Sequence, residues 1–210
     1  MPSKGNPPCG APDPRVAFFD RLSADWDNHG AGTDETVRRL EAVGGLLGLA
    51  PGQDLLEVGC GTGRLTAWLA QAVNPGRVTA VDFAPGMIAA ASAKGIDATF
   101  LCADVCVDDL GDKCFDVAFC FHCFPHFRDR VAATQMLARC LKPAGRLIVM
   151  HLRGSAAVDA HHDRVGGAVA GDHLPAHGAW DDLLGPAGLV RTRLIDRDDL
   201  FFLAATRRAT

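Results

Sequence analysis

Leu55-Leu56-Glu57-Val58-Gly59-Cys60-Gly61-Thr62-Gly63-Arg64 is the stretch on which the fold turns. Its apolar opening predicts a short strand, and the Gly-x-Gly-x-Gly that follows predicts a tight turn into the first turn of a helix. Such a turn lets backbone come very close to a ligand, because glycine has no Cβ to obstruct it. The spacing separates two nucleotide-binding classes. The dinucleotide fingerprint is Gly-x-Gly-x-x-Gly, whose third glycine permits close helix–strand packing. Counted from Gly59, that third place holds Arg64, and the glycine falls one residue early at Gly63. Glu57, near the strand end, is placed to accept hydrogen bonds from a cationic or hydroxylated ligand rather than to meet a pyrophosphate.

Working outward, Asp13-Pro14 reads as an N-cap followed by proline at the first helical position. That helix carries Val16, Phe18, Phe19 and Leu22 and ends near Trp26. After the break at Gly30-Ala31-Gly32, Thr33 or Asp34 caps a second helix running to about Leu47. From Gln53 strands and helices alternate. Strands are expected over 54–58, 77–81, 98–101, 115–120 and 146–151, and helices over 63–72, 85–93 and 128–141, with a turn at Leu141-Lys142-Pro143-Ala144-Gly145. This pattern implies an α/β, Rossmann-like, doubly wound sheet that is mostly parallel. It closes with an antiparallel pair, 189–195 and 200–205, joined by Asp196-Arg197-Asp198-Asp199. One domain is expected over 14–210, with residues 14–50 as a helical cover and 153–187 as an insertion. Residues 1–13, rich in proline and glycine, read as a disordered lead-in.

The 210 residues are 48% hydrophobic and 22% charged, the profile of an ordinary globular protein. The net charge of −4 offers no electrostatic case for nucleic acid. No apolar run is long enough to suggest a membrane span. Eight cysteines are present. Cys102, Cys106, Cys114, Cys120, Cys123 and Cys140 fall in expected core strands and helices, and read as reduced thiols of a cytoplasmic protein. Cys120-Phe121-His122-Cys123 has Cys-x-x-Cys spacing but lies across a strand end, which weighs against a redox or zinc role.

Ligands of open α/β sheets bind beyond the carboxyl ends of the strands. Asp82 follows the second strand, where a carboxylate accepts both ribose hydroxyls of a nucleoside. Phe83 and Met87 offer an apolar wall for a flat base. Asp104 and Val105 follow the third strand, where a carboxylate accepts the exocyclic amine of adenine, and Phe121 follows the fourth. Taken singly, Asp82 and Asp104 read equally well as caps of the helices after them.

Together these segments resemble the class I S-adenosylmethionine (SAM)-dependent methyltransferases. Glu57-Val58-Gly59-Cys60-Gly61-Thr62-Gly63 is similar to the cofactor loop of that family, and Val81-Asp82-Phe83-Ala84-Pro85-Gly86-Met87 to its second motif. Leu141-Lys142-Pro143-Ala144-Gly145-Arg146-Leu147 is similar to the turn into its fifth strand, with Ala144 where glycine is more usual. The early run from Phe18 to Asp27 resembles the N-terminal cover of small-molecule enzymes of the ubiquinone-biosynthesis type. The resemblance implies a seven-stranded sheet whose last strand is antiparallel. It also implies that Glu57, Gly59, Cys60, Gly61 and Gly63 hold the aminocarboxypropyl end of SAM, Asp82 the ribose, and Phe83 and Asp104 the adenine. A small-molecule acceptor and a monomer or homodimer complete the expectation. A non-catalytic SAM-binding module and a nicotinamide-dependent oxidoreductase are the alternatives, the latter opposed by Arg64 and Asp104.

Methyl transfer from a sulfonium is chiefly a matter of alignment. A base is needed only where the nucleophile must lose a proton. Of eight histidines, only His29 precedes residue 122. His126, His151 and His162 are therefore the candidates for a base or for acceptor binding. Several neutral imidazoles in this region are also suited to a metal ion. The insertion, with Gly166-Gly167 and Gly171-Asp172, reads as a lid over the acceptor pocket.

Overall fold

The computed structural model describes residues 13–209, so the expected lead-in lies outside the described residues apart from Asp13. The strands are β1 (Leu55–Val58), β2 (Val78–Asp82), β3 (Thr99–Cys102), β4 (Phe115–Phe121), β5 (Leu141–His151), β6 (Leu189–Arg197) and β7 (Leu200–Arg207). They form a seven-stranded sheet in the order β3-β2-β1-β4-β5-β7-β6. Neighbours from β3 to β5 pair in parallel, and β7 runs antiparallel between β5 and β6.

The central strands are mostly apolar because both of their faces are covered, with Glu57, Asp82 and Asp116 among the exceptions. Successive side chains of β1 point to opposite sides. Leu55 packs with Leu69, Val73 and Ile148 on one face, and Leu56 with Leu137, Trp180 and Phe201 on the other. All are buried, and each such leucine contributes about 1.5–3 kcal/mol relative to exposure. The first face is covered by α2 (Thr33–Ala42), α3 (Gly44–Leu47) and α4 (Thr66–Val73). The second is covered by α6 (Arg130–Cys140) and α8 (Ala179–Leu184). α1 (Pro14–Leu22) and a 3₁₀ turn over Ser23–Asn28 pack against α5 (Pro85–Ser92), above the carboxyl ends of the strands. α7 (Ser155–Val165) rises from the end of β5.

Several local expectations need correction. The second early helix is capped by neither Thr33 nor Asp34; Gly32 holds the N-cap position, without a side-chain bond. That helix also breaks at Val43, where Gly44-Gly45 weakens helix continuity, and α3 restarts beyond it. The turn at 141–145 is absorbed into β5 as a bulge. Phe115 pairs with Leu141 and Val117 with Arg146, so the residues between them loop out, with Ala144 at a φ of 62°. The terminal hairpin is longer than expected, and only Asp198 and Asp199 lie outside its strands. Cys102 and Cys114 are exposed rather than in the core, because β3 is an edge strand and Cys114 precedes β4. Cys60, Cys120, Cys123 and Cys140 are buried. Among the described residues, no helix is long and apolar enough to cross a membrane.

Candidate active site

The carboxyl ends of β1, β2, β4 and β5 open into a cavity of about 720 Å³, a volume suited to a small-molecule site. β1 delivers Glu57 and the loop Gly59-Cys60-Gly61 to its wall, and β2 delivers Asp82 and Phe83, with Met87 from α5. Gly59 and Gly61 have φ of 68° and 54°, a conformation costly for residues with a Cβ. Both approach other groups closely. A Cβ on Gly59 would lie 2.4 Å from the Cβ of Cys123, and one on Gly61 would lie 3.2 Å from Nε1 of Trp26 in the cover. Asp82 braces this loop. One carboxylate oxygen accepts from the amide of Gly61 at 2.9 Å and the other from that of Ala84 at 2.9 Å. Glu57 accepts from the Thr66 hydroxyl at 2.6 Å.

Glu57 and Asp82 are buried, and neither has an ion-pair partner among the described residues. Burial raises both carboxyl pKa values, that of Glu57 to about 8, with the charge of Asp82 adding to it. An ammonium or sulfonium placed beside them would relieve that cost. This end of the cavity therefore fits a cationic amino-acid ligand with hydroxyls, and the glycine loop leaves room for its backbone-like portion.

Three of the expected cofactor positions sit differently. Gly63 does not reach the cavity; its φ of 74° lets it pack close to α5, where a Cβ would meet Ala91 at 3.2 Å. Asp104 and Val105 line an adjoining smaller cleft, whose wall shares Gly59, Asp82, Phe83 and His126 with the main cavity. The Asp104 carboxylate accepts from the amide of Cys106 at 2.8 Å and pairs with Arg128 at 3.1 Å. Phe121 and Cys60 line the main cavity, and burial raises the thiol pKa of Cys60.

Across from the loop the cavity is walled by imidazoles. His126, in the 3₁₀ turn Phe124–His126 after β4, donates from Nδ1 to the Asp172 carboxylate at 2.8 Å. That bond fixes the tautomer with its lone pair on Nε2. Nε2 makes no hydrogen bond among the described residues, and the residue lines both the main cavity and the adjoining cleft. Asp172 is buried, yet hydrogen bonds from His126 and Arg15 hold its pKa below the ordinary carboxylate range. Arg15 of α1 grips it with Nε at 2.9 Å and Nη2 at 2.5 Å. His162 of α7 donates from Nδ1 to the Asp172 carbonyl at 2.5 Å, with its ring 4.7 Å from that of His126. Burial and the neighbouring His126 lower the pKa of His162.

His151 closes the end of β5, 1% exposed, with Nε2 meeting no partner among the described residues. Its ring stands edge-on to His122 at 4.9 Å. His122 has a φ of 56°, a strained value for a residue with a side chain. His122 is exposed and lines the cavity, and its Nε2 accepts from the amide of Leu152 at 3.4 Å. Burial, then Arg153 and Arg39, push its pKa down to about 3, and burial takes that of His151 well below its ordinary value. Among the described residues, no group of three or more His, Cys, Asp or Glu side chains is arranged to hold a metal ion.

The sequence singled out the histidines but not the partners that orient them. Arg15 and Asp172 lie 157 positions apart and no spacing links them. The only cue was Gly171-Asp172, a turn dipeptide inside the insertion. Cys123, which fills the space beside Gly59, was read only as a core thiol.

The family described as the methyltransferase domain matches residues 56–149. The chain is 30% identical over 208 residues to nocamycin O-methyltransferase of Saccharothrix syringae, covering 86% of this chain and 74% of that one. It is 36% identical over 141 residues to demethylmenaquinone methyltransferase of Thermus thermophilus, covering 65% of this chain and 60% of that one. Among solved structures, magnesium protoporphyrin IX methyltransferase of Synechocystis with bound SAH superimposes with a TM-score of 0.64 at 24% identity. That match covers 92% of this chain and 97% of the other.

Proposed function

The chain belongs to the class I SAM-dependent methyltransferases, and from that premise we propose that it methylates a hydroxyl group of a small molecule, with His126 as general base. When bound, SAM supplies a methyl group already activated on a sulfonium, so that a neutral thioether leaves. The work of the chain is then to hold, align and deprotonate. Glu57 and the loop Gly59-Cys60-Gly61 bind the amino-acid end, and Asp82 the ribose hydroxyls. Phe83, Met87 and Phe121 flank the base, with Asp104 and Val105 at its edge. Gly63 supports the loop from behind through its packing on Ala91. The acceptor lies between this wall and the imidazoles.

One observation carries the reading: His126 lines the cavity with Nδ1 bonded to Asp172 at 2.8 Å, and Nε2 makes no hydrogen bond among the described residues. A hydroxyl seated there would give its proton to Nε2, which is the role of His126 in the transfer. Asp172 then faces an imidazolium, and Arg15 keeps the carboxylate ionised for that role. The name of the Saccharothrix relative, an O-methyltransferase, agrees with an oxygen acceptor.

The test is purified protein with SAM and a panel of phenols, hydroxyquinones and alcohols, scored by release of the demethylated cofactor and by product mass. His126→Gln and Asp172→Asn are expected to bind SAM like wild type and to lose turnover roughly a hundredfold or more. Asp82→Ala is expected to lose SAM binding. Unchanged turnover in His126→Gln would refute the base, and no SAM binding at high micromolar concentration would refute the cofactor assignment.

A further inference from the structure

The carboxyl groups of the cavity, Glu57 and Asp82, stand at the glycine-loop end, where Arg64 also lines the wall and donates to the carbonyls of His29 and Ala31. Two arginines without carboxylate partners stand at the other. Arg39 of α2 donates from Nη2 to the carbonyl of Leu152 at 2.7 Å, and no carboxylate pairs with it among the described residues. The nearby Asp199 turns its carboxylate to Arg197 instead, at 2.7 Å. Arg153, just beyond β5, lines the cavity and has no ion pair among the described residues. The charged and titratable groups that act on His122 in the same wall are Arg153, Arg39, His126 and His162; no carboxylate is among them.

A second observation points to the same place. His122 is exposed in the same wall, and its Nε2 accepts from the amide of Leu152 at 3.4 Å. A neutral imidazole that accepts at Nε2 carries its hydrogen on Nδ1, which makes no hydrogen bond among the described residues and is free to donate to a ligand. Two guanidinium groups and an imidazole around one end of a small-molecule cavity make a receptor for an anion, and the planar guanidinium matches a carboxylate best.

We propose that the methyl acceptor carries a carboxylate, seated by Arg39 and Arg153 with His122 beside them, while the hydroxyl to be methylated lies at the His126 end. This deepens the methyltransferase reading and rests on it. The apolar residues between the two ends, Phe18, Leu22, Val158 and Val169, suit a hydroxyaryl or hydroxyalkyl body linking the two polar groups.

The experiment is calorimetric binding to the full-length protein saturated with the demethylated cofactor. The probes are matched pairs: 4-hydroxybenzoate, 4-hydroxyphenylacetate, 4-hydroxycinnamate and 6-hydroxy-2-naphthoate, each against its carboxamide. The expected result is that carboxylates bind roughly tenfold or more tightly than their amides, a preference that shrinks in raised salt. Arg153→Gln, an exposed position that spares the fold, is expected to remove most of this preference, with partial rescue by Arg153→Lys. Arg39→Gln is expected to act in the same direction. Equal binding of the two members of every pair, or an unchanged preference in Arg153→Gln, overturns the proposal. So does failure of every carboxylate to bind at millimolar concentration. Because the readout needs no chemistry, these failures leave the methyltransferase reading intact. Failure of the demethylated cofactor to bind in the first step would instead count against that reading.

Discussion

Replacing Gly59 by alanine tests the tightest contact in the cofactor loop. Its φ of 68° costs a residue with a Cβ about 1–2 kcal/mol. The new Cβ would stand 2.4 Å from Cβ and 3.0 Å from Sγ of Cys123, where carbon atoms in contact keep about 3.5–4.0 Å. Cys123 has little freedom to withdraw. It is buried, its Sγ donates to the carbonyl of Val58 at 3.0 Å, and its own carbonyl accepts from the amide of His126 at 3.0 Å. Overpacking of this kind costs about 1–3 kcal/mol, so Gly59→Ala is expected to lose about 2–5 kcal/mol of stability in urea unfolding. A double-mutant cycle divides the two terms. The nearest atom is the Cβ of Cys123, so Cys123→Gly should recover the steric part and leave the backbone part, while Cys123→Ala should recover little. A loss below about 1 kcal/mol, or equal rescue by Cys123→Ala, would show that the loop does not owe its glycine to this contact.

Other outcomes follow from the same geometry. Burial lowers the pKa of His151 in the folded state, so the unfolded chain binds the extra proton first as pH falls below about 6.5. Its contribution is whole above that pH and is lost on acidification. Wild type should therefore lose stability relative to His151→Gln, by up to about 1.4 kcal/mol per pH unit, in unfolding curves taken from pH 7 to 5; parallel curves for the two proteins would refute this. Glu57, raised to about 8, should make SAM affinity climb as pH approaches 8, with proton release on binding. Calorimetry in buffers of different ionisation heat measures that release, and Glu57→Gln should abolish it. Arg15→Met should cut methyl transfer while leaving SAM affinity within a few fold, and equal losses in both would show that Arg15 serves the cofactor instead.

Much of the fold was legible because a sheet covered on both faces imposes continuous apolar strands, which stand out between glycine-rich turns. Leu55–Val58 and Phe115–Phe121 are close to this kind, broken only by Glu57 and Asp116. What failed to show was anything set by position in the sheet rather than along the chain. Cys102 has the apolar neighbours of a core residue, yet β3 is the edge strand and leaves it exposed. The cap of α2 was misjudged because Gly32, Thr33 and Asp34 are all good N-caps and only the path of the chain decides among them. In the site, residues at strand ends were readable because topology fixes where strand ends go. Arg15, Arg39 and Asp172 sit on helices and loops whose mutual placement depends on packing, and nothing local marks them as partners of a histidine.

The grip of Arg15 on Asp172 joins two parts of the protein that have no sheet in common, the N-terminal cover and the segment between β5 and β6. Asp172 also holds His126 at 2.8 Å, so the cover, the insertion and the turn after β4 meet on one buried carboxylate. The orientation of an imidazole in the cavity wall is therefore set in part from the opposite end of the chain.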